Sequence, residues 1–411
     1  MTELGRTLGA LNTAPSPIAQ LIGCIAPASQ RMPPSAMTGI CARTLRWSRR
    51  FTQGPASVTL RADRTELINA AVTTLYAYRH TTTSASRWTV TLHTGVPIDR
   101  TRAEVLFTDG AEHDIGPRLI ARSLTMPEGR AFWIPDRATI VHRNDLTGTI
   151  TVHCADLDAG MDWAARLVRQ AMTAQLLHHG AIYAHTAALV HCGVGMLIAG
   201  PKCADKTTTL LLVLAMLGGD FVTNDRLLLS RDRAAITGYA WPMHLRVGTG
   251  TLHSVPGMTS FLPSLVPPAP ADAPTTTAKI AIEPDELRRW LPGGTITGTI
   301  RPRLMLWPYR TAADTPPERM PANQVRDTLV RTQLFMHDPQ RGTSSHRNHW
   351  LLDPGDPTHA VTALTDIANL VARTLPCWRI PVTDDPAALV HRVRQLLRAP
   401  HATRPATGAP R

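Results

Sequence analysis

One segment near the middle of the chain carries residues whose types and spacing suit phosphate binding. Residues 200–208, GPKCADKTT, match the pattern G-x-x-x-x-G-K-[ST] if Asp205 stands where the second glycine is usual. In a loop of this kind, backbone N–H groups point at phosphate oxygens, the lysine binds the β- and γ-phosphates, and the hydroxyl ligates Mg²⁺. Of the 43 lysine and arginine residues, only Lys202, Lys206 and Lys279 are lysines, and two of these three lie in this segment.

The side chains of this loop have expected roles at bound ATP. Gly200, Lys206 and Thr207 supply the parts that such a loop needs, with Lys206 at the β- and γ-phosphates and Thr207 at Mg²⁺. The other loop residues predicted to contact the nucleotide are Lys202, Asp205 and Thr208. A strand-to-helix turn that carries two incidental lysines is the structural alternative.

Asp205 is the departure from the pattern, and it has two opposite consequences. A carboxylate that faces a triphosphate is repelled by up to ~4 kcal/mol at about 4 Å and an effective dielectric of about 20. Aspartate nevertheless tolerates a positive φ better than most residues other than glycine. The backbone shape of the loop is therefore expected to survive, with ATP binding opposed by the carboxylate.

A second group of polar residues, Asn224-Asp225-Arg226, follows the next predicted strand. In open α/β sheets, ligands bind at the carboxyl ends of the strands. Asp225 at that edge would hold Mg²⁺ or take a proton from an attacking hydroxyl, and a turn carboxylate that caps the next segment is the alternative. His185, in the strand before the loop, is a candidate to lie beside the γ-phosphate, against the alternative of a core or edge histidine. Asn224 and Arg226 are grouped with the nucleotide-binding residues.

The elements that must position these residues follow from the apolar pattern around them. Residues 181–190 and 195–199 predict buried strands, and residues 206–217 predict a helix. Further strand pieces are indicated at 221–222 and 227–230. A strand, a glycine turn, a helix and a strand in this order form a βαβ unit. The pattern therefore predicts an α/β fold with the loop between a strand and a helix.

Four regions are predicted along the 411 residues. Residues 1–54, which mix Ala, Pro, Ser and Thr with short apolar pieces, are expected to form a partly disordered N-terminal extension. Short alternating runs separated by Gly, Pro and Asp predict a small α+β domain over residues 55–155. The phosphate-loop domain is expected over residues 156–398, followed by a disordered tail at 399–411.

Composition excludes several classes of protein. Hydrophobic residues make up 43% and charged residues 18%, so wholesale disorder is excluded. Six cysteines lie far apart without a C-x-x-C pair, which argues against a disulfide framework or a zinc ribbon. No apolar run is long enough to cross a bilayer, so no membrane association is expected. These features predict a soluble, cytoplasmic protein.

The run from His185 to Leu229 resembles the C-terminal catalytic domain of HPr serine kinase/phosphorylase and its HPr-kinase-like relatives. In that family a strand histidine precedes a loop G-x-x-G-x-G-K-[ST], and an acidic pair or Asn-Asp-Arg follows the next strand. His185, the loop 200–207 and residues 224–226 occupy those places here. The later segment 241–248, WPMHLRVG, also looks like kinase-like relatives that accompany biosynthetic clusters.

The resemblance implies an HPr-kinase-like domain with a degenerate phosphate loop, ATP and Mg²⁺ as cofactors, and two catalytic residues. His185 would assist at the phosphate, and Asp225 would be the base or a ligand of the metal, which Thr207 helps to hold. Departures from the family pattern are Cys203 and Asp205 at two glycine positions, and an asparagine at the first position of the acidic pair.

The predicted function is ATP-dependent phosphorylation of a Ser/Thr hydroxyl on a peptide, a protein or a small-molecule natural-product precursor, in a biosynthetic pathway. The alternative is a catalytically degenerate homologue that binds a peptide or a partner protein. A nucleic-acid-binding ATPase is favoured only by the net charge of +12, and since the basic residues are spread along the chain, nucleic acid is not expected as a partner. An acidic peptide partner for the arginine-bearing helix at 386–398 and a homo-oligomer stay open.

Overall fold

The computed structural model describes residues 17–25, 45–82, 86–116, 118–261, 279–313, 315–331, 337–338, 343–344, 350–352 and 357–398. Within them, helices alternate with strands that form several separate sheets, which is the mixed α/β fold expected from the sequence. Part of the predicted N-terminal extension and all of the predicted tail lie outside the described residues. None of the described helices is long and apolar enough to cross a membrane.

The helices are α1 (Pro17–Ile25), α2 (Thr65–Thr74), α3 (Arg100–Leu106), α4 (Leu157–His178), α5 (Lys206–Leu217), α6 (Thr249–Ser254), α7 (Met258–Phe261), α8 (Pro284–Trp290), α9 (Ala322–Arg331), α10 (Pro357–Thr374) and α11 (Pro386–Arg398). The strands up to residue 199 are β1 (Trp47–Gln53), β2 (Ala56–Ala62), β3 (Arg79–Thr81), β4 (Trp88–His93), β5 (Ala111–Gly116), β6 (Leu119–Met126), β7 (Gly129–Ile134), β8 (Thr139–Asn144), β9 (Thr149–Cys154), β10 (Ile182–Ala184), β11 (Thr186–His191) and β12 (Val194–Ala199). The later strands are β13 (Asp220–Thr223), β14 (Leu227–Asp232), β15 (Ala235–Ala240), β16 (Leu245–Gly248), β17 (Lys279–Ile282), β18 (Thr299–Ile300), β19 (Pro302–Arg310), β20 (Glu318–Arg319), β21 (His337–Asp338), β22 (Thr343–Ser344) and β23 (Cys377–Val382).

The chain divides into two compact units. The first contains Thr89–Gly160, Arg61–Arg64 and the described part of Met1–Trp47. Its strands β5, β6, β7, β8 and β9 pair antiparallel in chain order, and β4 pairs with β9 in parallel. Side chains of the sheet pack with those of α1 and α3 in one apolar core, formed by Leu21, Cys24, Ala103, Phe107, Met126, Ala131, Trp133, Ala138 and Ile140.

The second unit contains Ser48–Leu60, Thr65–Trp88 and the described part of Met161–Arg411, and two multi-stranded sheets lie within the last of these segments. Hydrogen-bonded neighbours in the larger sheet follow the order β13, β11, β12, β19, β23, β20, and those in the smaller sheet follow the order β10, β14, β15, β18. In the larger sheet β12, β19 and β23 are parallel, whereas β11 is antiparallel to both β12 and β13. The smaller sheet is antiparallel throughout. Two-stranded ribbons pair β16 with β17 and β21 with β22.

Both faces of the larger sheet are buried, and side chains alternate between them along each strand. Met196, Ile198 and Leu306 point to the core that contains α5 and α11. Leu197 and Met305 point to the opposite core, which contains α9 and α10. Each of these five residues is at most 2% exposed. A strand that is covered on both faces needs the continuous apolar sequence from which β12 was predicted.

Strand direction brings the predicted site segments to one edge of this sheet. The carboxyl ends of β12, β13, β19 and β23 lie at the same edge, because these strands run in one direction. β11 runs the opposite way, so its amino end lies there as well, where Thr186 pairs with Ala199. The loop that starts at Gly200, the segment after Thr223, and Arg310 at the end of β19 therefore share this edge.

One strand lies inside the segment that the sequence indicated as an extension. The strand Trp47–Gln53 pairs with β3 and buries Phe51 and Gln53. The amide of Gln53 donates hydrogen bonds to the carbonyl oxygens of Ala240 and Gly298, at 3.0 and 2.9 Å, which offsets the cost of burying a polar side chain. Its polar sequence, WSRRFTQ, lacks the apolar alternation by which strands are predicted, so the sequence pattern missed a strand before residue 54.

Gly195 in β12 has no room for a larger side chain. An added Cβ would collide with the backbone carbonyl oxygen of Arg301 and would lie 2.8 Å from Cγ1 of Ile300. Since β12 and β19 are neighbours inside the sheet, we expect Gly195→Ala to lower the free energy of unfolding by about 1–3 kcal/mol. Gly248→Ala is the matched control, because a Cβ there meets nothing within 4 Å and φ is −71°. Urea unfolding followed by circular dichroism measures both, and equal stabilities would contradict this packing.

Candidate functional site

His185 and Asp225 meet where the chain passes between the two sheets of the second unit. His185 lies between β10 of the smaller sheet and β11 of the larger one, and Asp225 lies between β13 of the larger sheet and β14 of the smaller one. Because β10 pairs with β14 and β11 with β13, the two crossings are held side by side. His185 Nε2 lies 3.0 Å from Asp225 Oδ1. The two residues predicted to be catalytic are therefore in direct contact.

The surroundings of Asp225 favour its ionised form. Burial raises the pKa of the carboxyl, but the hydrogen bond and charge of His185, with the charges of Arg226 and Lys206, outweigh burial and hold the pKa below its ordinary value. Arg226 Nε lies 3.4 Å from Asp225 Oδ2. A carboxylate that is ionised near neutral pH, and oriented by an imidazole, can bind a cation or interact with a hydroxyl proton.

Residues with positive φ shape the loop between β12 and α5. Gly200, Cys203 and Asp205 have φ values of 154°, 65° and 56°. Asp205 is in the left-handed conformation, with ψ 25°, which aspartate tolerates better than most residues other than glycine. The helix begins at Lys206, and its first N–H groups have no acceptor within the helix. An anion placed at this end would be favoured by those donors and by the helix dipole.

Lys206 is buried at the start of α5. Only 7% of the residue is exposed, and its ammonium donates hydrogen bonds to the carbonyl oxygens of Gly200, at 3.0 Å, and Pro201, at 2.9 Å. Burial lowers the pKa of the ammonium, and the negative charge of Asp225 opposes that effect. Lysine has three N–H donors, of which these two bonds use two. Lys206 therefore ties the loop together while interacting with the charge of Asp225.

Asp205 has a different environment from the one expected. Its two carboxylate oxygens accept hydrogen bonds from Nε and Nη2 of Arg310, at 3.1 and 3.2 Å, in a bidentate pair. Arg310 also donates from Nη1 to Asp384 Oδ1 at 3.0 Å. β19 is the parallel neighbour of β12, so its last residue arrives beside the loop that follows β12. The carboxylate that was expected to repel phosphate is thus already paired with a cation.

The remaining predicted contact residues differ in exposure. The Thr208 hydroxyl lies 3.3 Å from Asp205 Oδ1 and 2.9 Å from the Thr251 hydroxyl, so it joins the loop to helix α6. Lys202 is exposed on the loop, whereas Asn224 is buried next to Asp225 in sequence. The structure thus gathers Lys206, Asp225 and His185 at one place and leaves Lys202 at the surface.

A magnesium ion at this edge would have few protein ligands. Among the described residues, no three His, Cys, Asp or Glu side chains are close enough together to hold a metal ion. In nucleotide sites, Mg²⁺ is usually bound by one or two protein oxygens together with phosphate oxygens and water. Thr207, in the first turn of α5, and Asp225 offer oxygens of that kind. This donor set fits Mg²⁺ that arrives with a phosphate, and not a metal held by protein side chains alone.

The sequence did not predict that an aromatic ring packs against the guanidinium group of Arg226. The Trp241 ring contacts two guanidinium groups, those of Arg226 at 4.5 Å and Arg169 at 4.6 Å from its centroid. The indole N–H donates a hydrogen bond to the Thr173 hydroxyl at 2.8 Å, and Arg169 donates to the carbonyl oxygen of Pro242 at 2.9 Å. Trp241 belongs to the WPMHLRVG segment, but nothing in the sequence links that segment to α4. Trp241 thus helps to fix the arginine beside Asp225.

Comparison with known proteins gives little further information. No protein family model matches the sequence, and no curated protein is detectably similar to it. The structure of the Hpr(Ser) kinase/phosphatase from Coxiella burnetii is similar to part of this chain, with 10% sequence identity, coverage of 52% of this chain and 95% of that chain, and a TM-score of 0.24. Because the TM-score is so low, this similarity carries no conclusion about the fold or the site of this chain.

The low pKa of Asp225 has a testable effect on stability. A carboxyl whose pKa in the folded state lies below its unfolded value of about 3.9 stabilises the fold above that value, and this contribution is lost as pH falls through the folded pKa. We expect Asp225→Asn to lower the free energy of unfolding at pH 7 by less than about 2 kcal/mol, because the side chain is 41% exposed. The difference from wild type should shrink below about pH 4.

Urea unfolding at neutral and acidic pH measures this difference. Asp366→Asn is the control, since it removes an exposed carboxylate that pairs with Arg231. A gap between wild type and Asp225→Asn that stays constant or widens in acid would contradict the assigned direction of the pKa.

Proposed function

We propose that this protein transfers a phosphoryl group from ATP to a Ser/Thr hydroxyl on a peptide, a protein or a natural-product precursor. The observation that carries the proposal is the convergence of Lys206, His185 and Asp225 at one sheet edge, at the N-terminal end of α5. Phosphoryl transfer requires positioning and charge neutralisation more than covalent chemistry. A buried ammonium at a helix N-terminus and an oriented carboxylate are suited to those two tasks.

Some residues of this edge would bind the phosphates and Mg²⁺, and others would orient the attacking hydroxyl. Lys206 and the first N–H groups of α5 would bind phosphate oxygens, and Thr207 with Asp225 would hold Mg²⁺, which neutralises phosphate charge. His185 holds Oδ1 of Asp225 and so fixes the direction of the carboxylate. Because a carboxylate of low pKa is a weak base, orienting the attacking hydroxyl is the larger part of its role, and accepting the proton is the smaller part.

A catalytically degenerate homologue that binds a peptide or a partner protein is the competing function. The feature that favours it is Asp205, whose carboxylate would repel phosphate. The pairing of that carboxylate with Arg310 weakens this argument and so supports the kinase. An acidic peptide partner, a homo-oligomer and a role in a biosynthetic pathway remain predictions from the sequence.

Lys206→Ala tests the phosphate site. We expect Mg²⁺-ATP to bind about ten- to a hundredfold more weakly, because a hydrogen bond to a charged group contributes about 1.5–3 kcal/mol. Lys202→Ala is the matched control, since it removes an exposed lysine from the same loop. Titration calorimetry measures both affinities, and thermal unfolding establishes that both variants are folded. Equal affinities for wild type and folded Lys206→Ala would remove the assignment of this loop to phosphate.

Asp225→Asn separates binding from transfer. We expect the affinity for Mg²⁺-ATP to change by less than about threefold, while transfer of labelled γ-phosphate to a library of Ser/Thr peptides falls by about a hundredfold or more. Asp366→Asn, on α10, serves as the control for loss of a surface carboxylate, since Asp366 pairs with Arg231. If the Asp225→Asn protein transfers phosphate at the wild-type rate, the catalytic group lies elsewhere, and His185 is the next candidate.

A further inference from the structure

Arg310 links two acidic residues that come from separate parts of the chain. Asp205 is the last residue of the phosphate loop, and Asp384 lies between β23 and α11. The side chain of Asp205 is 16% exposed, that of Arg310 55%, and that of Asp384 is fully exposed. Solvent therefore screens the contact with Asp384 far more than the contact with Asp205. Arg310 acts mainly on Asp205.

The position of Asp205 makes its charge important for any anion at the loop. The residue directly precedes Lys206, and its backbone is in the left-handed conformation that brings the chain into α5. Its carboxylate is consequently attached at the helix N-terminus, where an anion would bind. An unpaired carboxylate at that place would compete with phosphate for the helix dipole and would repel it directly.

The geometry of the Asp205–Arg310 pair suits charge cancellation. Two N–H···O bonds, at 3.1 and 3.2 Å, join the guanidinium to both oxygens of the carboxylate. β19 places Arg310 there because Leu306 pairs in register with Ile198, so the last residues of β19 extend past the end of β12 and alongside the loop. The pair therefore adds no net charge at the loop.

We propose that Arg310 is a positioning residue that compensates the charge of Asp205 and so allows this loop to bind the phosphates of a nucleotide. This inference rests on the proposed phosphate site. The affinity for the nucleotide then depends on Arg310 of β19 as well as on the loop itself. The loop and the end of β19 then form a single charge-balanced unit.

Three variants test the compensation by titration calorimetry with Mg²⁺-ATP at low salt. Arg310→Ala should bind Mg²⁺-ATP about tenfold more weakly, because the negative charge of the Asp205 carboxylate is then unpaired several ångströms from the phosphates. Asp205→Gly should bind at least as tightly as wild type, and glycine adopts the φ of 56° without strain. The double variant Arg310→Ala/Asp205→Gly should return to within about threefold of wild type, because the net charge at the loop is restored. High salt should reduce the penalty of Arg310→Ala.

Arg231→Ala is the control, since it removes a surface arginine of β14 that pairs with Asp366 and not with Asp205. Its affinity should equal that of wild type. Thermal unfolding without nucleotide establishes that each variant is folded.

The outcomes distinguish this inference from the proposed function. If wild type binds Mg²⁺-ATP and Arg310→Ala binds equally well, the role of Arg310 is overturned while the phosphate site stands. If Arg310→Ala and Asp205→Gly weaken binding alike and the double variant is no better, the pair holds the shape of the loop and charge compensation is wrong. Wild-type protein that does not bind Mg²⁺-ATP would overturn both.

Discussion

Apolar side chains cover both faces of the β13-β11-β12-β19-β23-β20 sheet. Polar site residues are therefore accommodated at the ends of the strands, because burying them on either face would cost free energy. The direction of β11 then decides which groups meet. Because β11 runs against its neighbours, the residue before it lies at the edge where β12 and β13 end. In a wholly parallel sheet that residue would lie at the opposite edge. The contact of His185 with Asp225 follows from the reversal of one strand.

The charges at this edge depend on one another. Burial disfavours the ammonium of Lys206, the charge of Asp225 opposes that effect, and two loop carbonyl oxygens accept hydrogen bonds from the ammonium. Asp225 in turn is held ionised by His185, Arg226 and Lys206. Trp241 fixes Arg226 from the other side through its ring face. Removal of one member therefore changes the electrostatic environment of the others, as is general for polar networks of low local dielectric.

Local features of this architecture were predictable from the sequence. Helix α5 begins and ends at the predicted residues, because a glycine-containing turn precedes a continuous apolar run and Gly218 follows it. The positions of the loop and of Asp225 at the ends of strands also follow from local pattern. Contacts between distant segments were not predictable. Arg310 is one arginine in an arginine-rich chain, and only the register of β12 with β19 brings it to Asp205.

Asp205 stands where a phosphate loop usually has a glycine, and a residue at that position must satisfy two separate conditions. Its backbone must adopt a positive φ, and its side chain must not place an unpaired negative charge near the phosphates. Asp205 meets the first condition through its tolerance of positive φ and fails the second by itself. Arg310 meets the second condition from a neighbouring strand. A sequence motif that requires glycine at this position does not distinguish the two conditions. It therefore scores the aspartate as a loss of function. Judged by conformation and charge separately, the loop is compatible with phosphate binding. The peptide-binding alternative has to explain why the ammonium of Lys206 is buried at a helix N-terminus, where burial and the positive end of the helix dipole both disfavour a cation.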